Sequence, residues 1–173
     1  MNIKDFSHLK QFDACRFKTE MVGDQEFTIM CYMIADPALW DAPLGLEARG
    51  HVFDAAGELV SMPFEKFFNY RENKFTQPSV VGAIKIKNIF EKRDGSLMTP
   101  VLVKGQVHWK TKKSFYSDVA VEATAGLFLK EMELSAHLLK LNMTPIFEYT
   151  SPAYRVVVDY GVEPEMVLLA IRS

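Results

Sequence analysis

From Ser117 to Asn142 the apolar residues recur every third or fourth position, whereas along most of the remaining chain they recur at every second. One helical stripe set among many strand-like runs leaves few folds open. Ala120, Ala123, Leu127, Leu134, Leu138 and Leu141 fall on one face of a single long helix. Ser114 or Ser117 is placed to cap its start, and Asn142 suits its end. Before it, "EFTIMCYMI" reads as a strand, and "ARGHVFDAAGELVSMPF" as a hairpin around Ala-Ala-Gly. "VVGAIKIKNIF" alternates apolar with basic residues, the period of a strand with one wet face. "SLMTPVLVKGQVHWKTK" forms a second hairpin turning at Lys104-Gly105. After the stripe, "TPIFEYTS", "YRVVVDY" and "EMVLLAIRS" are three more strand candidates, and "NIKDFSHLKQF" at the start has helical spacing. The expected fold class is α+β with mainly antiparallel sheets and one long helix. Without a repeat, low-complexity tract or Ser/Gly linker, residues 1–173 read as one domain. "MVLLAIRS" is a strong strand at the very end, and its next neighbour is expected on a further segment or another chain.

The segment "EKRDGS", residues 91–96, lies between two apolar runs. It reads as a charged turn between strands, and Lys92 within it as either a solvated turn residue or a nucleophile at a sheet edge. A lysine amine titrates near ~10.4 and attacks only when neutral, so it needs burial or cationic neighbours. Arg93 next to it, with Lys110 and Lys112 on the following hairpin strand, are the expected source of that pressure. Asp94 is placed to orient the site, and Gly95 lets backbone approach a ligand closely.

Charge sharpens the choice. Residues 85–113 hold eight basic and two acidic side chains, an excess of six in a chain whose formal total is -2. The balance speaks against an indiscriminate nucleic-acid binder, while the local excess fits either a lysine-protected sheet edge or a phosphate-attracting face. Cys15 and Cys31 lack metal-ligand spacing and read as buried thiols of a reducing compartment, and the four histidines are scattered. No apolar run approaches a membrane span and the amino terminus has no signal-like core, so a cytoplasmic location is expected.

"EKRDGSL" resembles the K-x-D-G motif I of covalent nucleotidyltransferases, which include ATP-dependent ligases and mRNA capping enzymes. In addition, "LEARGHVFD", "MPFEKFFNYREN", "WKTKKS" and "FEYTSPAYRVVVDY" occur in the order and approximate spacing of the T-even phage RNA ligase 1 family. The likeness runs from Trp40 to the C-terminus; residues 1–39 match loosely. The resemblance implies the adenylyltransferase fold of these ligases and a three-step reaction. A lysine takes AMP from ATP, AMP passes to an RNA 5′-phosphate, and a 3′-hydroxyl displaces it to join the ends. It implies Lys92 as the nucleophile, with Asp94 and Gly95 completing the motif and Glu91 meeting the adenine edge. It further implies Arg49 and Lys112 as nucleotide-binding residues, Lys66 for the ATP phosphates and Phe68 for the site wall. Glu148 is expected to serve the ribose or a Mg2+ ion, and Lys110 and Arg155 to support the site. Of Phe67 and Phe68, one is expected in the core and one at the site. Trp40 and Trp109 read as packing rather than base-stacking residues.

The family also carries a motif IV acid in an E-G pair and a motif V K-x-K, and neither occurs downstream of Glu148. A family glycine after the Lys112 position is Lys113 here. The reading is therefore the N-terminal part of an adenylyltransferase domain, with motifs IV and V expected from a C-terminal partner segment or chain. The alternative is a non-catalytic remnant that binds ATP or nucleic-acid ends or has an assembly role.

Overall fold

The computed structural model describes residues 1–126 and 128–173. Eight strands make two four-stranded antiparallel sheets among these residues. The first runs in the order β1 (Cys15–Val22), β2 (Gln25–Tyr32), β3 (Arg49–Asp54), β4 (Leu59–Ser61). The second takes β5 (Ser96–Val103), β6 (Gln106–Lys110), β7 (Thr144–Thr150) and β8 (Glu165–Arg172) in the order β6-β5-β7-β8.

Strand alternation stacks these elements into layers. Phe27, Ile29 and Cys31 of β2 and Val52 of β3 meet Val101 and Val103 of β5 between the sheets. Met30 and Phe53, the neighbours of opposite parity, turn outward onto Phe6 and Leu9 of an N-terminal 3-10 helix, Ile3–Gln11. On the far side, Met98, Trp109, Phe147 and Tyr149 pack under α3 (Asp118–Ala125), named after α1 (Pro37–Asp41) and α2 (Pro78–Val81). Each fully buried Phe or Leu in these layers contributes ~1.5–3 kcal/mol of transfer free energy. With Phe147 and Tyr149 taken by the helix side, Glu148 between them faces the gap between the sheets.

Both expected hairpins form. Lys104 and Gly105 have φ of 51° and 83°, the left-handed pair that a two-residue turn between twisted strands demands. Ser117 caps α3 by accepting from the Ala120 N–H, and Asn142, at φ 57°, closes the helical region.

The single long helix is corrected to two. α3 stops at Gly126, whose ψ of 146° is extended, and α4 restarts at Leu129 and runs to Lys140. Leu127 of the expected stripe lies outside the described residues. Ala120, Ala123 and Leu138 are buried as the stripe predicts, but Leu141 is exposed beyond the end of α4. Two expected strands are absent. Residues 80–81 belong to α2 and 82–90 are irregular after it, and 154–160 form no strand. Alternation alone does not make a strand: neither segment pairs with a strand among the described residues, and Ile89 and Phe90 are 88% and 83% exposed. The basic face expected from alternation therefore disperses: Lys85 and Lys87 lie on irregular chain, and Lys104 sits at a hairpin tip paired with Asp24 at 2.7 Å. Conversely, β1 is a strand for which the reading above assigned nothing.

Candidate active site

Gly95 sits where the chain enters β5 beside β7. A Cβ there would lie 2.3 Å from the Tyr149 carbonyl oxygen, so only glycine allows this approach. The same closeness lets the Gly95 N–H donate to Glu148 Oε1 at 2.9 Å. Leu97 pairs with Glu148 in the ladder, which fixes the carboxylate at the exit of the Lys92–Asp94 segment. Glu148 is buried, and desolvation raises its pKa against the opposing pull of the Gly95 N–H, Lys92 and Arg49.

Lys92 is exposed, and its charge bears on both Asp94 and Glu148. Lys110 and Lys112, expected beside it, bear on Cys31 instead. The amine that comes under pressure is Lys110, and the pressure is burial, not neighbouring cations. It is 1% exposed, lies between the sheets and donates to the Thr111 carbonyl at 3.1 Å; burial lowers its pKa to about 7. Asp94 also differs in role. Its Oδ2 accepts from the Val157 and Val158 N–H groups at 2.7 and 3.0 Å, and its own N–H donates to Tyr160 Oη. These backbone donors hold its pKa below the usual carboxylate range. The motif loop is thereby tied to residues 157–160.

Arg49 opens β3 on the face that Cys31 shares, across from Glu148. Its guanidinium lies 4.4 Å from the Phe67 ring centroid and donates to the Glu65 carbonyl at 3.3 Å. Burial lowers its pKa, with Tyr32 and Glu148 pulling the other way. Lys112 places its Nζ 3.6 Å from the Tyr32 centroid and is half-buried, its pKa lowered first by desolvation. Lys66 stands 4.1 Å from the Phe68 centroid and 5.5 Å from that of Trp40, and it donates to the Phe67 carbonyl at 2.5 Å. Phe68 packs edge-on to Trp40 at 5.0 Å while Phe67 is exposed. One ring is inward and one outward, as the pair predicts, although the segment is not a strand. Lys92, Asp94, Glu148, Arg49 and Lys112 therefore share one neighbourhood at the mouth between the sheets. Lys66 joins it through the 65–67 backbone. Glu91 lies outside this group, exposed and 4.0 Å from Arg93; Arg155 pairs outward with Asp159 at 2.8 Å.

The profile of the RNA ligase family matches residues 47–173. The chain belongs to this RNA ligase family. It is 32% identical over 169 residues to the protein named "Putative RNA ligase" of Thermovibrio ammonificans, covering 95% of this chain and 43% of that protein. It is 29% identical over 159 residues to "RNA ligase 1" of Bacteriophage TS2126, covering 84% of this chain and 39% of that one. The chain thus spans less than half the length of these relatives.

Within this family member, two anchoring groups were not visible in the sequence. Glu20 of β1 accepts from Ser114 Oγ at 2.6 Å and from the Phe115 N–H at 2.9 Å, and pairs with Lys18 at 2.5 Å. It clamps the 111–115 turn that carries Lys112. Burial alone would raise the Glu20 pKa; the hydrogen bonds from Lys18, Ser114 and Phe115 outweigh it and hold it low. Arg172 of β8 grips Glu47 with both guanidinium nitrogens, at 2.8 and 2.5 Å, and donates to the Pro63 carbonyl at 2.6 Å. Lys66 N–H in turn donates to the Leu46 carbonyl at 2.7 Å, so β8 braces the strip on which Lys66 sits. Polar residues paired across 95 and 125 positions leave no local pattern to read.

A cavity of about 760 Å3 opens elsewhere, lined by Phe27, Val60, Met62, Leu102 and Leu139 among others and by none of the expected site residues. Among the described residues no three His, Cys, Asp or Glu side chains converge on a metal position. Glu148 stands as a single carboxylate with one oxygen already engaged by Gly95. That fits magnesium only in the manner of nucleotide enzymes, where substrate phosphates and water complete the shell.

Proposed function

We propose that this chain supplies the nucleotide-accepting part of an ATP-dependent RNA ligase, with the adenylyltransferase type of fold, and that Lys92 is the residue adenylylated. In this reading the Lys92 amine, having given up a proton, attacks the α-phosphorus of ATP; the N–P bond forms and the P–O bond to pyrophosphate breaks. The AMP then passes to an RNA 5′-phosphate, breaking the N–P bond and restoring the amine, and a 3′-hydroxyl displaces AMP to join the ends. Arg49, Lys66 and Lys112 face the triphosphate, where fixed cations stabilise charge that builds as pyrophosphate departs. Phe68 walls the site and Glu91 reaches the adenine edge. Asp94 fixes the motif loop, Lys110 and Arg155 support the surrounding backbone, and Glu148 serves the ribose or holds magnesium. When bound, magnesium supplies charge neutralisation on the phosphates.

The observation that carries this reading is the Gly95 N–H to Glu148 bond, which brings the motif I loop and Glu148 to one point near Lys92. The exposed Ile84, Ile86, Ile89 and Phe90 support a covering segment, on a partner or a longer chain, that also brings the motif IV acid and motif V lysines. The test is incubation with α-labelled ATP and Mg2+, with and without a polypeptide carrying those motifs. Label that survives denaturation and alkali but is released by hot acid, as an N–P bond requires, is expected on the protein and absent from Lys92→Ala. Labelling that survives Lys92→Ala, or none with every motif present, sinks the proposal.

A further inference from the structure

Residues 64–76, "FEKFFNYRENKFT", put three large rings into solvent: Phe67, Tyr70 and Phe75 are 56%, 59% and 43% exposed. Exposed rings at this density are unusual for a loop with no partner. Each has a cation against it. Arg49 lies 4.4 Å from the Phe67 centroid, Arg71 5.3 Å from that of Tyr70, and Lys74 5.1 Å from that of Phe75. A cation set against an aromatic ring strengthens a stack on the ring's free face and offers a charge to a backbone phosphate beside it.

The loop is also held in shape from within. Arg71, at φ 68°, turns the chain, and its N–H donates to the Thr76 carbonyl at 2.9 Å. Asn73 caps the short 3-10 helix Lys74–Thr76 through a reciprocal bond with Thr76. Gln77 donates to the Arg71 and Asn73 carbonyls, and Glu72 accepts from the Asn69 N–H at 2.6 Å. Rings displayed from a preformed turn lose little entropy when something stacks on them. One end of the row begins at Arg49, inside the site neighbourhood.

We propose that Phe67, Tyr70 and Phe75, with Arg49, Arg71 and Lys74, form a stacking platform for the bases of a single-stranded RNA end, leading its terminal phosphate toward Lys92. The last clause rests on the ligase reading above; the stacking does not. Charge favours RNA over a protein partner: each exposed ring has a cation against it, and of these Lys74 also pairs with Asp41 at 2.6 Å.

The test is fluorescence anisotropy of the full chain with a 5′-phosphorylated single-stranded RNA oligonucleotide and an abasic strand of equal charge. Tyr70→Leu/Phe75→Leu keeps apolar bulk but removes the rings, and its fold is checked by circular dichroism and thermal midpoint. Affinity for RNA is expected to fall about 10-fold per ring removed, toward that of the abasic strand with the Phe67 contribution left, and Tyr70→Trp to retain it. Equal affinity for RNA and abasic strand, an unaffected double leucine variant, or self-association abolished by that variant would overturn the platform. Self-labelling of the wild-type chain with ATP is read separately. RNA binding that depends on the rings, without labelling even when a polypeptide carrying motifs IV and V is added, would sink the ligase reading and leave the platform standing; labelling with ring-independent RNA binding would do the reverse.

Discussion

Glu20 illustrates what one carboxylate can do at a distance in sequence. It stands on β1 yet receives the Phe115 N–H and the Ser114 hydroxyl, so the turn bearing Lys112 is held by a group 95 residues away from Phe115. Hydrogen bonds to a charged acceptor contribute ~1.5–3 kcal/mol. Glu20→Gln keeps an acceptor and removes the charge, and it is expected to destabilise the chain by about 1–2 kcal/mol. The Phe115 amide should exchange faster in the variant, which hydrogen exchange followed by mass spectrometry would register. The pH dependence follows from the lowered pKa. Because Glu20 is easier to ionise folded than unfolded, the stabilisation is complete above 4.5 and declines as pH falls through the lower folded value. Unchanged Phe115 exchange in the variant would show that the clamp holds nothing. At this scale the sequence was legible where a residue type carries its own chemistry: Lys92, Glu148 and Gly95 were assembled from motif likeness and do meet. Glu20 was not, since a glutamate in "KTEM" differs in no visible way from any solvated one.

At the scale of elements, hairpins and caps were readable because turn chemistry is local. Lys104-Gly105 and Ala55-Ala56-Gly57 fold where they do for reasons contained in a few residues. The misreadings share one cause: pairing is not local. "AIKIKNIF" and "YRVVVDY" have the period of strands without a partner to pair, and β1 finds β2 despite a polar sequence. The helical stripe was real, and its interruption at Gly126 was missed because a 3.6-residue period continues in register across a short break. β8 shows an element whose ladder with β7 is supplemented by one side chain. Arg172 meets Glu47, which is buried beside His51, and burial keeps His51 neutral by lowering its pKa to about 3. Arg172→Ala leaves that carboxylate without a cation and is expected to destabilise by about 3 kcal/mol, near the lower end for breaking a buried pair. Adding Glu47→Gln should recover much of the loss. A double-mutant cycle in urea gives the coupling directly; additive losses would mean that β8 is held by its ladder alone.

For the molecule as a whole, the two sheets enclose a lysine that the fold does not need for packing. Lys110 is 1% exposed, and Gly50 comes close enough that a Cβ there would lie 3.2 Å from its Nζ. The charged and titratable groups whose fields reach it are Cys31 on β2 and Glu20 on β1, with His51 on β3 also coupled to it. Its pKa falls from 10.5 to about 7 in the fold. The sign is set by protons: between those two values the unfolded chain holds a proton that the folded chain does not. Stability therefore drops as pH falls from 10.5 to 7 and stays at its reduced level below, a penalty of several kcal/mol at ~1.4 kcal/mol per unit. Lys110→Met fills a similar volume without charge. It should raise the thermal midpoint substantially at pH 6 and progressively less as pH rises toward 10. A midpoint gain independent of pH would mean that the amine is not desolvated in the fold. A buried cation of this kind persists in a chain only where something other than stability requires it, and the site cations Arg49 and Lys112 lie on the same inter-sheet face. Self-labelling by ATP in Lys110→Met should accordingly fall even as the protein becomes harder to melt, and that opposition separates a residue kept for the site from one kept for the core.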